Sequence, residues 1–190
     1  MITIKNNRGF TLIELMITIT VFAILASIGT PLLNSFIASN RLTAQTNQMV
    51  SSLNLARSES IKRSQRATIC TSDVAQTACA ATTWETGWLV FVDNNADNNF
   101  VVADGDVLLQ VSPSIVGGNT LRSTQFVNNL FFNPDGSAGA AGTFRICRQD
   151  AIAASAKGVN ISTAGQISLA KNTGGTAAVN DYAGVDITCL

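Results

Sequence analysis

Apolar and polar positions divide the chain into three regimes. From Phe10 to Leu33 almost every residue is apolar or small, Glu14 is the one charge, and none at all follows from Leu15 to Asn40. A helix through Phe10 to Leu33 would reach ~36 Å, more than the ~30 Å hydrocarbon core of a bilayer. From Asn34 to Arg66 there is no Pro or Gly, and apolar residues recur at Leu42, Met49, Leu53 and Ala56, flanked by Phe36, Ile37, Val50 and Ile61. That spacing predicts an amphipathic helix with one buried face. Its polar face carries Arg41, Arg57, Glu59, Lys62, Arg63 and Arg66, so this half should lie on a globular head. Pro31 removes one backbone donor and crowds the preceding turn, which predicts a kink or local unwinding near Ser27 to Pro31.

Past Arg66 the pattern becomes short β-prone runs separated by turn residues. The runs are Ala67 to Cys70, Gly87 to Val92, Val107 to Val111, Asn129 to Asn133, Thr143 to Cys147, Val159 to Ser162, Gln166 to Leu169 and Val185 to Thr188. Short strands with Gly-rich turns predict an antiparallel sandwich or partly open barrel, so the fold class is α+β. Four segments result: a leader at 1–9, a transmembrane half-helix at 10–33, an amphipathic half-helix at 34–66 and a β-rich head at 67–190.

The leader MITIKNNRG carries Lys5 and Arg8 and no acid, which places that end in the cytoplasm and the head outside. A cleaved secretory signal has an apolar core of only about 7 to 15 residues, shorter than this run. Within that run Glu14 needs a partner, because a charged side chain costs roughly 2.5 to 3.5 kcal/mol at mid-bilayer. Snorkelling to the headgroups is the alternative for a residue so near the end.

Composition removes whole classes of chemistry. Charged residues are 13% of the chain, and twelve basic residues balance twelve acidic ones, so no overall field draws nucleic acid. Histidine is absent, which excludes His-based triads and every His-ligated zinc site. Asp104 and Asp106 are close, yet no motif sets them in a cleft, and Trp84 and Trp88 read as core or sheet-face residues. The expectation is no enzyme and no cofactor.

Gly9-Phe10-Thr11-Leu12-Ile13-Glu14 resembles the class III signal of type IV pilins and type II secretion pseudopilins, and Pro31 stands where pilins place a proline. The resemblance implies that a prepilin peptidase cuts after Gly9 and methylates the new amine of Phe10. It also implies that Glu14 pairs with that amine, in its own chain or a neighbour's, within a filament. The segment Leu55 to Ser64, then Thr68-Ile69-Cys70 and Gly87 to Asp93, resembles the GspH/FimT/FimU group of minor pilins and pseudopilins. That likeness implies a long helix on two antiparallel sheets. It further implies a bacterial inner-membrane protein with a periplasmic head, later incorporated in an extracellular pilus. The implied partners are other minor pilins, the major pilin and inner-membrane lipid before assembly. The implied role is in tip assembly or priming, with a type II secretion pseudopilin of H type as the alternative.

The four cysteines fall in the head, where an oxidising compartment favours two disulfides. Spacing favours Cys70 with Cys79 and Cys147 with Cys189 among three connectivities. Asp93, Asn95, Asp97 and Asp104 half-resemble a calcium loop, but Asn98 stands where glycine is required and no helix flanks it. A solvated Asx turn is the stronger reading, and no metal is expected. Arg57, Lys62, Arg63 and Arg66 cluster at the helix end, either as a solvated face or as a contact for DNA phosphates. Some FimT-type pilins bind DNA through a Gly-Arg-x-Arg segment. The matching place here is Gly165-Gln166-Ile167-Ser168, without either arginine, so DNA ranks below a structural role.

Overall fold

The structure, a computed structural model, describes residues 9–149, 156–172 and 179–189, without the side chains of 28–32. Residues 1–8 of the leader, with Lys5 and Arg8, lie outside that description. The chain divides into a unit ending at Ala38 and a unit from Ser39 onward.

Helix α1 runs from Leu12 to Arg63. Helical conformation continues through residues 27–31, so the local unwinding expected there is absent. A proline withholds a single N–H, and the bonds on either side can carry the helix past it. The helix stops three residues before the expected Arg66. Ser64 turns to φ 53°, the Ser64 N–H reaches Ile61 O and the Gln65 N–H reaches Ser60 O, which closes the last turn with the pattern of a C-terminal cap.

In the head unit, one helix face is wholly inside. Leu42, Met49, Leu53 and Ala56 are buried, and so are the polar Gln45, Thr46, Ser52 and Ser60 on the same stripe. Phe36, Ile37 and Ile61, expected to flank that stripe, remain exposed. Against the stripe stand two four-stranded antiparallel sheets. The first has the order β3-β2-β1-β5, with β1 Ala67–Thr71, β2 Trp88–Val92, β3 Val107–Ser112 and β5 Asn129–Phe132. The second has the order β4-β6-β7-β8, with β4 Thr120–Arg122, β6 Gly142–Cys147, β7 Lys157–Ile161 and β8 Ile167–Leu169. One core joins the helix stripe to Ile69, Val90 and Phe132 of the first sheet and to Phe144, Ile146 and Val159 of the second.

Two differences from the sequence pattern concern strands. β4 is only three residues long and sits between turn residues, too short for its alternation to register. Val185 to Thr188, expected as a strand, makes only an isolated bridge between Asn180 and Asp186. Its Ile187 instead caps the outer face of the second sheet with Cys147 and Ala156. Apolar residues that cover a sheet face need no strand partner of their own.

Candidate functional site

The amino-terminal segment is built around Glu14. Thr11 ends the non-helical chain, its Oγ1 accepts the Glu14 N–H at 3.3 Å, and Glu14 Oε2 accepts the Thr11 N–H at 2.9 Å. Thr11 Oγ1 also donates to the same carboxylate oxygen at 2.9 Å. This is a reciprocal capping box, which satisfies two of the otherwise orphaned amides of the first turn. Thr-x-x-Glu ahead of an apolar run is its sequence signature, a local signal that the length and hydropathy of the run overshadow. Phe10 is 90% exposed beside this box. Beyond it, Leu12, Ile13, Leu15, Met16, Ile17 and Ile19 are all exposed, so the segment is apolar around its circumference.

Among the described residues, no helix is long and apolar enough to cross a membrane. The undescribed side chains at 28–32, Pro31 among them, fall inside the Phe10 to Leu33 run that reads as a span in the sequence.

The four cations at the helix end are each engaged within the head. Arg57 Nε donates to Gly136 O at 3.1 Å and its Nη2 to Ala164 O at 3.3 Å, so it clamps two turns together. Gly165 has φ 74°, and a Cβ there would run into the carbonyl oxygen of Gly136, so these turns meet with no room for a side chain. Lys62 and Arg63 both pair with Glu59, at 3.2 and 2.6 Å, and these bonds hold the Glu59 carboxyl below its ordinary range. Arg66 lies beyond the helix with its guanidinium 3.4 Å from the centre of the Phe131 ring. It also bonds Ala96 O at 3.2 Å and Asn98 Oδ1, while Asp93 lies at 3.7 Å. Burial lowers the Arg66 pKa against the opposing pull of Asp93 and Asp97. The structure thus uses Arg57 and Arg66 as internal struts, not as members of a free basic face.

The Asx-rich loop is organised by its buried acids. Asp93 accepts Thr68 Oγ1 at 2.8 Å, the Asp97 N–H at 3.2 Å and the Asn98 N–H at 3.1 Å. Asp106 accepts the Asn94 N–H and the Val101 N–H, both at 2.9 Å. Asn95 Nδ2 bridges Asp97 Oδ2 at 3.0 Å and Asp104 Oδ2 at 3.1 Å. The acids thus spend their oxygens on the loop's own donors, as in an Asx turn. Among the described residues, no group of three acids, cysteines or histidines could hold a metal ion.

Disulfides join Cys70 to Cys79 and Cys147 to Cys189. The first braces the outer side of the first sheet, where Cys70 packs with Leu89 and Phe91. The second ties the segment ending at Cys189 to β6. Trp84 and Trp88 are both buried, and each indole N–H is satisfied, by Phe126 O at 2.7 Å and by Ser52 Oγ at 3.0 Å.

The family described as "Type II transport protein GspH" matches residues 45–165, which span the buried helix stripe and both sheets. The chain is a member of the GspH family. A "Prokaryotic N-terminal methylation motif" matches residues 4–30, around the Gly9–Phe10 junction and Glu14. Among solved structures, the type IV minor pilin FimU of Pseudomonas aeruginosa aligns with 20% identity over 70% of this chain and 90% of that one, with a TM-score of 0.56. A second crystal form of FimU aligns with 22% identity over the same shares and a TM-score of 0.49. No curated protein matches in sequence. This GspH-family chain is therefore a minor pilin or pseudopilin of the GspH/FimT/FimU type, with a long amino-terminal helix on a two-sheet head. The family is one of pilin structural proteins. Membership implies contact with other pilins, processing by a prepilin peptidase and a membrane-anchored stage before incorporation in a filament.

Proposed function

We propose that this chain is a minor type IV pilin that takes part in priming and assembling the pilus near its tip. A prepilin peptidase removes the leader after Gly9 and methylates the Phe10 amine, and the helix from Phe10 to Leu33 resides in the inner membrane with the head in the periplasm. During assembly the apolar helix leaves lipid for the equally apolar interior of a filament. Glu14 then sets register by pairing with a Phe10 amine, and Pro31 lets the helix adjust as subunits pack. The head meets other minor pilins and the major pilin. We assign it no catalytic role, no metal and no cofactor.

The observation that carries this reading is the first helical turn. An apolar segment exposed on all sides bears a single carboxylate, and only one of its oxygens is used by Thr11. A carboxylate entering an apolar interior is tolerated when a cation meets it, and the processed amine is a cation at the right end of the chain. The test is the mature protein's first residue together with its presence in sheared pili. A chain beginning at methylated phenylalanine and recovered with the other minor pilins supports the proposal; a chain beginning elsewhere, or absent from the fibre, overturns it.

A second reading, a minor pseudopilin of H type in type II secretion, is favoured by the family description of residues 45–165. Deletion that stops secretion but leaves piliation intact selects it. A DNA-receptor role ranks lower, because the cations proposed to contact phosphate are held by carbonyls, Glu59 and Phe131.

A further inference from the structure

Strands β4 and β6 set Arg122 directly opposite Arg145, so two guanidinium groups share one face of the second sheet. Like charges in that relation are destabilising unless something counters them. Glu85 counters one of them: its Oε1 accepts Arg122 Nε at 3.2 Å. Its Oε2 is buried and accepts nothing among the described residues, and no hydrogen bond or ion pair there engages the Arg145 side chain. Buried polar atoms are nearly always partnered, so an orphan acceptor beside an unpaired cation calls for an explanation.

Both groups line one cavity of about 320 Å³. Its apolar wall is formed by Trp84, Leu121 and the exposed Val127. Trp84 is fixed in place by the bond from its indole to Phe126 O and by an edge-on contact with Phe144, with ring centres 4.8 Å apart. The cavity is therefore preformed, and its chemistry has three parts: a cation, an acceptor in need of a donor, and an apolar surface. A bare anion would meet Arg145 but face the Glu85 carboxylate, while an ammonium would do the reverse. The last residue of a peptide chain carries all three complements, namely a carboxylate for Arg145, its own amide N–H for Glu85 Oε2, and a side chain for the Trp84 wall.

We propose that this cavity captures the carboxy-terminal residue of a partner protein, one with an apolar side chain. The inference concerns the head alone and stands apart from the assembly reading of Glu14. It is tested on the full chain, ¹⁵N-labelled in detergent micelles, by titration with acetylated alanyl-alanyl-leucine bearing a free carboxylate and with the same peptide amidated. The expected result is a saturable shift of the Trp84 indole signal with the free acid, weakened about tenfold or more by amidation. Arg145→Gln should abolish it while the Trp88 indole signal stays in place as proof of folding, and Lys62→Gln should bind as the unaltered chain does. Equal shifts with acid and amide, no shift with either, or a short DNA duplex displacing the peptide would overturn the proposal.

Discussion

Trp88 of β2 donates its indole N–H to Ser52 Oγ of α1 at 3.0 Å, and both side chains are completely buried. Ser52 in turn donates to Gln48 O at 3.1 Å, so a polar chain is threaded through the apolar contact between helix and first sheet. Ser52→Ala removes the acceptor and leaves a buried indole N–H without a partner, which costs about 1–3 kcal/mol. The expected outcome is a lower denaturant midpoint, read from the near-ultraviolet circular dichroism of the tryptophans, with the slope of the transition unchanged.

Only the apolar half of this contact is written locally in the sequence. The stripe Leu42, Met49, Leu53 and Ala56 is visible because a helix repeats every 3.6 residues, and all four side chains are buried. Ser52 and Gln45 lie on the same stripe, but a polar residue carries no hint of a partner 36 or 74 positions away. Arg57 and Arg66 read as surface charges for the same reason, since the carbonyls and the Phe131 ring that receive them come from distant turns. Arg122 and Arg145 meet only through the pairing of β4 with β6, which no local period encodes. The capping box of Thr11 and Glu14 was legible, being a four-residue local signal.

The two disulfides close loops of different length, with sequence separations of 9 for Cys70–Cys79 and 42 for Cys147–Cys189. Loop-closure entropy assigns about 3 kcal/mol to the shorter and about 4 kcal/mol to the longer. Replacing both Cys147 and Cys189 by serine should therefore lower the unfolding midpoint more than replacing Cys70 and Cys79. It should also expose Ile187 and the sheet face beneath it, detected as faster amide exchange in β6 and β7.

Asp93 is wholly buried and serves Arg66, Thr68 and two loop amides at once. Asp93→Asn keeps the shape but removes the charge facing a largely buried guanidinium, and should cost about 2–4 kcal/mol. Because the loop supplies its own donors, millimolar calcium should change neither the heat of titration nor the midpoint of the unaltered protein. A calcium-dependent rise in midpoint that vanished in Asp93→Asn would instead restore the metal reading of Asp93, Asn95, Asp97 and Asp104.

Acid should loosen the head in a definite window. Bonds from Arg63 and Lys62 lower the Glu59 pKa, and bonds from the Thr77 amide and Ser137 lower those of Asp73 and Asp135. A carboxyl with a depressed folded pKa stabilises the native state fully above its unfolded value and loses that contribution as pH falls through the folded value. Stability should then hold from neutral pH down to the ordinary glutamate value of 4.5 and decline below it. Glu59→Gln should be less stable than the unaltered chain at pH 7 and show a shallower decline in acid, both read from denaturant midpoints across pH.

The charge pairing proposed for Glu14 is separable from its capping of Thr11, and substitution can tell the two apart. Its Oε2 closes the capping box on Thr11, a bond that a neutral amide oxygen also makes. Neutralising a Phe10 amine in an apolar filament interior requires the negative charge. If capping alone mattered, Glu14→Gln would assemble normally and Glu14→Ala would lose about 1 kcal/mol of helix stability at the first turn. If charge pairing is the role, Glu14→Gln and Glu14→Ala should both disappear from sheared pili while the processed protein still accumulates in the inner membrane. Thr11→Ala, which weakens the box but keeps the carboxylate, should still be incorporated. Immunoblots of pilus and membrane fractions from the three variants read out the difference directly.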